Sequence, residues 1–284
     1  MLPVVEMFYS IQGEGLFTGM PSVFLRVSGC NLRCVFKDSI CDTPYTSFNP
    51  EKSKYNSNEE ILDDLVKLFL EHKYLDHLVI TGGEPLLYRK ELEDFLQKFL
   101  DIFPDTTITI ETNGTLPPLN SEVVNVSLYS ISHKLSTSVD HTLKKLNKEQ
   151  ADRHNNTRIN IDSLYEFISS EDCVFKFVYS GPECIDEIKS IYSKLIEKAL
   201  EETLELVKET SDDNQTIKES DQYKQNTIDH ITNVLSKMTY LMPEGMTREQ
   251  LEKSRLDTVE ACLKEGWIFT DRTHINIWGD KRGV

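Results

Sequence analysis

The stretch VSGCNLRCVFKDSICDTP, residues 27–44, continues the apolar run VFLRV and carries three cysteines, Cys30, Cys34 and Cys41. An apolar, β-branched run ending in a polar loop reads as a strand that delivers functional groups at its C-terminal end. Similar runs follow at 77–83 (HLVITGG), 106–114 (TTITIETNG), 124–132 (VNVSLYSIS), 173–181 (CVFKFVYSG), 238–245 (MTYLMPEG) and 274–280 (HINIWGD). Between them, apolar residues spaced by three and four predict helices over 58–72, 90–101, 183–209 and 247–264, with Asn58 and Thr247 as N-caps. Strands alternating with helices predict βα units, a mainly parallel sheet and right-handed crossovers. In such folds function gathers at the C-terminal ends of the strands. Two polar stretches, 136–163 and 210–230, interrupt the alternation and read as surface insertions or mobile excursions. No internal repeat is visible.

Composition narrows the class. With 284 residues, 39% of them hydrophobic and 27% charged, the chain can bury a substantial core as one large domain or two small ones. Nothing approaches eighteen consecutive apolar residues, and the start MLPVVEMFYSIQGEG lacks a basic opening and a long apolar stretch, so the expected location is the cytoplasm, without membrane attachment. A formal charge of −16 argues against a general grip on nucleic acid.

Six cysteines, three clustered and three scattered, do not form a disulfide framework, and a reducing compartment favours metal binding or catalysis for the cluster. Thiolates select zinc, copper(I) or iron–sulfur clusters. Structural zinc usually takes four protein ligands, so three thiols leave such a site one short. An iron–sulfur cubane held by three cysteines would instead leave one iron open to a non-protein ligand. Buried, inert thiols are the remaining possibility. Cys173, Cys184 and Cys262 read that way, and Trp267 and Trp278 read as core.

Further motifs stand in a definite order: SIQGEG at 10–15, CNLRC at 30–34, CDTPY at 41–45, TGGEP at 81–85, ETNGT at 111–115, ISHKLS at 131–136, FKFV at 175–178, LMPEG at 241–245 and HINIWGDKRGV at 274–284. Together they resemble the 7-carboxy-7-deazaguanine synthase family of the radical S-adenosylmethionine (SAM) superfamily, along most of the chain. CNLRC alone is shared by many members of the superfamily, whereas SIQGEG and the WG-x-x-RG ending are characteristic of this family. The resemblance implies a single radical SAM domain over 1–284, folded as an incomplete (β/α) barrel whose sheet is completed by 238–284, with insertions near 136–163 and 210–230. It also implies a 4Fe-4S cluster, S-adenosyl-L-methionine and Mg2+ as cofactors, a homodimer, an electron donor such as flavodoxin, and a pterin substrate, 6-carboxy-5,6,7,8-tetrahydropterin. The implied reaction contracts that substrate to 7-carboxy-7-deazaguanine with loss of ammonia, in 7-deazapurine biosynthesis of the queuosine type.

The common family spacing is C-x3-C-x2-C, and here two registers compete. Either Lys37 replaces the third cysteine and Asp38-Ser39 follow it, or four residues are inserted and Cys41-Asp42-Thr43 complete the motif. An ammonium has no lone pair for iron, so Cys41 is expected as the ligand with Cys30 and Cys34. By position in the family, Ile40, Asp42, Gly83, Glu84, Glu111, Ser132 and Lys134 would contact SAM. Ile11, Gln12, Gly13, Glu14, Arg26, Thr81 and Val284 would contact substrate, and Thr43 would bind magnesium. His133 stands where the family has proline, and His274 is expected to open the last strand near the site. Another radical enzyme, such as a glycyl-radical activase, would share CNLRC but leave SIQGEG and the WGDKRG ending without a role; a non-enzymatic thiolate–metal module would hold no iron.

Overall fold

The computed structural model describes residues 1–37, 39–139, 145–210 and 216–284. Asp38, 140–144 and 211–215, which belong to the alternative register and the two polar stretches, lie outside the described residues. The strands are β1 (Val4–Ile11), β2 (Pro21–Val27), β3 (His77–Gly82), β4 (Thr107–Thr112), β5 (Leu128–Ile131), β6 (Cys173–Tyr179), β7 (Thr239–Pro243) and β8 (Ile268–Phe269). The α-helices are α1 (Pro44–Ser47), α2 (Asn58–Glu71), α3 (Arg89–Ile102), α4 (Lys148–Thr157), α5 (Ile161–Ser170), α6 (Glu183–Thr210), α7 (Thr216–Met238), α8 (Arg248–Glu265) and α9 (Thr273–Trp278).

The strands form one sheet in sequence order, antiparallel between β1 and β2 and parallel from β2 to β8. No pairing joins β1 to β8 among the described residues, so the barrel stays open, as the sequence predicts. The two edges are bridged outside the ladder. The Gly15 amide donates to Thr270 Oγ1 at 2.7 Å, and the Thr273 amide donates to the Gly13 carbonyl at 2.9 Å. Gly13 is required there because a Cβ would stand 2.1 Å from His274 Nδ1.

Period-two alternation divides the labour of the strands. Val23, Leu25 and Val27 on β2, Leu78 and Ile80 on β3, Ile108 and Ile110 on β4, and Phe175 and Phe177 on β6 join one core cluster with Leu65, Phe95, Phe99, Phe167 and Ile188 of the surrounding helices. The alternate residues face the barrel interior. At one end Leu128, Val174 and Tyr240 pack with Phe17 as an apolar plug. Beside it His77 links strands, with Nδ1 2.7 Å from Ser22 Oγ and Nε2 2.8 Å from Thr109 Oγ1. At the other end the interior positions turn polar.

Several expectations need correction. Residues 274–280 are not a strand: Thr273–Trp278 is the short helix α9, followed by Gly279 at φ +70°. Its one buried residue is Ile275, and Trp278 is exposed rather than core. β1 lies in a segment that the apolar-run reading leaves unassigned. The cap of α2 is Ser57, whose side chain accepts from the Glu60 amide, while Asn58 Oδ1 accepts from the Leu2 amide at 2.9 Å. Thr247 does cap α8, in a capping box with Gln250. The polar stretches are largely helical where described: α4 and the start of α5 in the first, α7 over 216–230 in the second. Cys173, Cys184 and Cys262 are buried as expected. No helix among the described residues is long and apolar enough to cross a membrane.

Candidate active site

One cavity of about 530 Å³ opens at the C-terminal end of the parallel strands. It is lined by Cys30, Cys34, Ile40, Cys41, Asp42 and Thr43 from the loop after β2, and by Ile11, Gln12, Gly13 and Glu14 from the end of β1 and beyond. Arg26, Thr81, Gly83, Glu111, Ser132, Lys134 and Val284 complete the set that the sequence singles out. Glu84 alone of that set stays outside. It is fully buried and accepts hydrogen bonds from the Leu86 amide (3.0 Å), Thr112 Oγ1 (2.8 Å) and the Asn113 amide (2.7 Å). Its carboxylate therefore ties the end of β3 to the end of β4. The Gly83 turn packs so tightly that a Cβ there would stand 2.0 Å from the Gly29 carbonyl oxygen, one residue before Cys30.

The wide gap between the second and third cysteines closes in space. Val35 bridges to Ile40, the Phe36 amide donates to the Ser39 carbonyl at 2.8 Å, and the Cys41 amide donates to the Cys34 carbonyl at 3.0 Å. These contacts bring Cys41 back beside Cys34. Burial pushes the Cys30 thiol up to about 11 and the Cys34 thiol higher still, although the Leu32 amide points at Cys30 Sγ from 3.4 Å. Such thiols become thiolates when a cation compensates their charge. Among the described residues no three His, Cys, Asp or Glu stand ready as a single-ion site. Three thiols on one pocket wall fit a cluster that keeps one iron for a non-protein ligand.

An ionic network, mostly buried, runs along the same lining. Glu14 Oε2 is 2.6 Å from Lys176 Nζ, and its Oε1 is 2.9 Å from Arg272 Nε. Arg272 also donates to Asp42 Oδ2 at 2.7 Å and to the Gly245 carbonyl at 2.8 Å, joining the thiol loop to the loop after β7. Burial alone would raise the Glu14 carboxyl, but Lys176 and Arg272 outweigh it and hold it well below the usual carboxylate range. Glu111 accepts from Thr81 Oγ1 at 2.8 Å and from Gln12 Nε2 at 3.2 Å, and stands 4.0 Å from Lys176 Nζ. Arg26 Nε lies 2.9 Å from Glu6 Oε2 without hydrogen-bond alignment. Lys134 Nζ donates to Ser132 Oγ at 2.7 Å.

Two members of this network escape the sequence reading. Lys176 carries a signal, a single charge inside the apolar strand CVFKFVY, and Arg272 carries none. Lys176→Met should destabilise the fold by about 3 kcal/mol, because it removes the closer of the two cations paired with the buried Glu14 and the nearest cation to Glu111. Urea denaturation of both proteins at pH 7 measures this, and a loss below about 1 kcal/mol would mean that the pair is screened like a surface one.

The comparisons follow this geometry. A model of the radical SAM superfamily matches residues 25–195. Curated relatives named 7-carboxy-7-deazaguanine synthase include one from Halobacterium salinarum, 32% identical over 98% of this chain and 91% of its own length. The chain belongs to the 7-carboxy-7-deazaguanine synthase family. A second relative of that name, from Rhodopirellula baltica, is 30% identical over 100% of this chain and 89% of its own. The crystal structure of QueE from Escherichia coli shares the fold, with a TM-score of 0.54 and 21% identity, covering 96% of this chain and 94% of that one. The protein is therefore a radical SAM enzyme of deazapurine biosynthesis, and membership in the superfamily brings with it a 4Fe-4S cluster and SAM.

Proposed function

We propose that this enzyme contracts 6-carboxy-5,6,7,8-tetrahydropterin to 7-carboxy-7-deazaguanine with loss of ammonia. The observation that carries the reading is a single pocket lined by three thiols and by a charged, hydrogen-bonding set. Cys30, Cys34 and Cys41 would hold the cluster, and Ile40, Asp42, Gly83, Glu111, Ser132 and Lys134 would line the SAM side. When bound, cluster and SAM supply a 5′-deoxyadenosyl radical that removes a hydrogen atom from the substrate.

The chain's own residues then bind, orient and shield. Arg26 offers its guanidinium to the substrate carboxylate, with Glu6 beside Nε fixing the side chain. Gln12, Glu14 and Thr81 present a donor and acceptor edge to the bicycle, and Lys176 and Arg272 keep Glu14 ionised as an acceptor. Glu84 acts at one remove by holding the Gly83 turn against the thiol loop. Thr43 Oγ1, 3.5 Å from Cys41 Sγ and on the pocket lining, would give magnesium one oxygen ligand, the others coming from substrate and water. The segment ending in Val284 covers the pocket, held by Arg282, which pairs with Glu6 and with Glu51 and lies over the Tyr45 ring. The reading also includes a cytoplasmic homodimer, a flavodoxin-type electron donor, and no nucleic acid or membrane partner.

Anaerobic turnover with the tetrahydropterin, SAM and magnesium, followed by mass spectrometry, tests the assignment; no deazapurine product would overturn it. Arg26→Ala should lower use of the carboxypterin about tenfold to hundredfold while leaving uncoupled SAM cleavage nearly unchanged, since a charge-assisted pair contributes about 1.5–3 kcal/mol. Equal loss of both activities would remove Arg26 from the substrate side.

A further inference from the structure

We propose that residues 136–139 and 145–163 of the first polar stretch are a buttress for the cofactor loops and that His154 is the positioning residue of the thiol loop. The proposal rests on Cys30, Cys34 and Cys41 holding the cluster.

Helix α4 buries two residues, Ala151 and His154. His154 is not simply a core residue, because both its nitrogens are committed. The Arg33 amide donates to Nδ1 at 3.1 Å, so the ring proton sits on Nε2, which lies 2.9 Å from Ser138 Oγ. The Ser138 hydroxyl in turn donates to the Leu135 carbonyl at 2.6 Å. Proton roles are thus fixed along a chain running from the thiol loop to the segment after β5. Ser138 holds the same loop a second time, its carbonyl accepting from the Val35 amide at 2.7 Å while Val139 bridges to Val35. Two backbone amides flanking Cys34 therefore end on this stretch.

Its far end fastens the neighbouring loops. Arg158 Nη1 donates to the Lys134 carbonyl at 3.1 Å and pairs with Glu187 at 2.6 Å. Asn160 Nδ2 donates to the Thr115 carbonyl at 3.0 Å, and Thr115 Oγ1 accepts from Asn31 at 2.7 Å. The loops after β2, β4 and β5, each carrying residues of the cofactor side, are tied to one polar segment. Hydrogen bonds to backbone groups need few apolar residues, which is why the stretch reads as dispensable surface.

The test uses the full-length protein reconstituted anaerobically, with His154→Ala, His154→Asn and Cys34→Ala as variants. Two quantities are read: the rate of iron loss to a chelator, and hydrogen exchange of the Arg33 and Val35 amides. His154→Ala should lose iron about tenfold faster, the equivalent of about 1.4 kcal/mol or one hydrogen bond. The Arg33 amide should exchange faster in step. Asn places an acceptor where Nδ1 stands, so His154→Asn should recover most of both losses. Unchanged iron retention in His154→Ala, or no recovery in His154→Asn, overturns the proposal. Should His154→Ala fail to fold, exchange in the parent decides: Arg33 and Val35 amides as fast as an open loop refute the buttress, and slow ones support it. Equal iron in the parent and Cys34→Ala would instead refute the cluster assignment, leaving the exchange result to judge the buttress.

Discussion

Replacing Cys41 with alanine is expected to take the reconstituted protein from about four irons per chain to less than about one, and SAM cleavage to background. The expectation rests on the contacts that the structure places between the second and third thiols. The Cys41 amide is bonded to the Cys34 carbonyl at 3.0 Å and Ile40 bridges Val35, so the two cysteines meet despite the six residues between them. Removing a thiol from a three-ligand set leaves two, and no other cysteine lines the pocket: Cys173, Cys184 and Cys262 are buried elsewhere. Cys262→Ala, on α8, is the matched control and should keep its iron. Deleting Lys37–Ile40 should also spare the cluster, since it joins Phe36 to Cys41 in the common family spacing. Full iron and turnover in Cys41→Ala would return the third ligand to one of the buried thiols.

Acid should unfold this protein earlier than its carboxylates alone would dictate. Burial depresses three histidines, His77 to about 4, His154 to about 4 and His133 to about 3. Unfolded, each titrates near 6.5, so below that pH the unfolded chain takes up protons that the folded chain refuses. Stability is fully present above about pH 6.5 and falls as pH drops toward the folded values. Each group contributes about 1.4 kcal/mol per pH unit, so the three remove roughly 6 kcal/mol by pH 5, a large share of the 5–15 kcal/mol of an ordinary domain. Urea midpoints at pH 7, 6 and 5 measure the slope. His133→Leu removes one of the three: neither ring nitrogen has a hydrogen-bond partner among the described residues, so the substitution loses no bond and should flatten the slope by about a third. A midpoint that does not move between pH 6.5 and 5 would contradict the neutral burial of all three.

How much of this was legible in the sequence follows from what each residue does locally. β2, β3, β4 and β6 are readable because their outward positions are continuously apolar against the helices. β1 is harder: Glu6 interrupts its apolar run because it faces Arg26 and Arg282. HINIWG has the β-branched content of a strand, yet it follows the two-residue β8 and folds as α9, whose first residue donates its amide to the Gly13 carbonyl across the open edge. The thiols, SIQGEG and the strand-end motifs marked the pocket. Glu84 belonged to that pattern without lining the cavity, because a buried carboxylate accepting backbone amides looks in sequence like one awaiting a ligand. Arg272 was invisible for the opposite reason: its partners Glu14 and Asp42 lie 258 and 230 residues away.

The bridge between Gly15 and Thr270 spans 255 residues of chain, and this sets an order during synthesis. Cys30, Cys34 and Cys41 are made early, and the stretch that holds their loop is complete by about residue 160. Gln12, Glu14 and Arg26 of the pocket are made as early as the thiols, whereas Lys176 and Arg272, the cations that pair with Glu14, come later. Arg272, which locks Glu14 to Asp42, arrives in the last few per cent of the chain. The two edges of the open sheet are thus brought together by contacts whose second partner is among the last residues made.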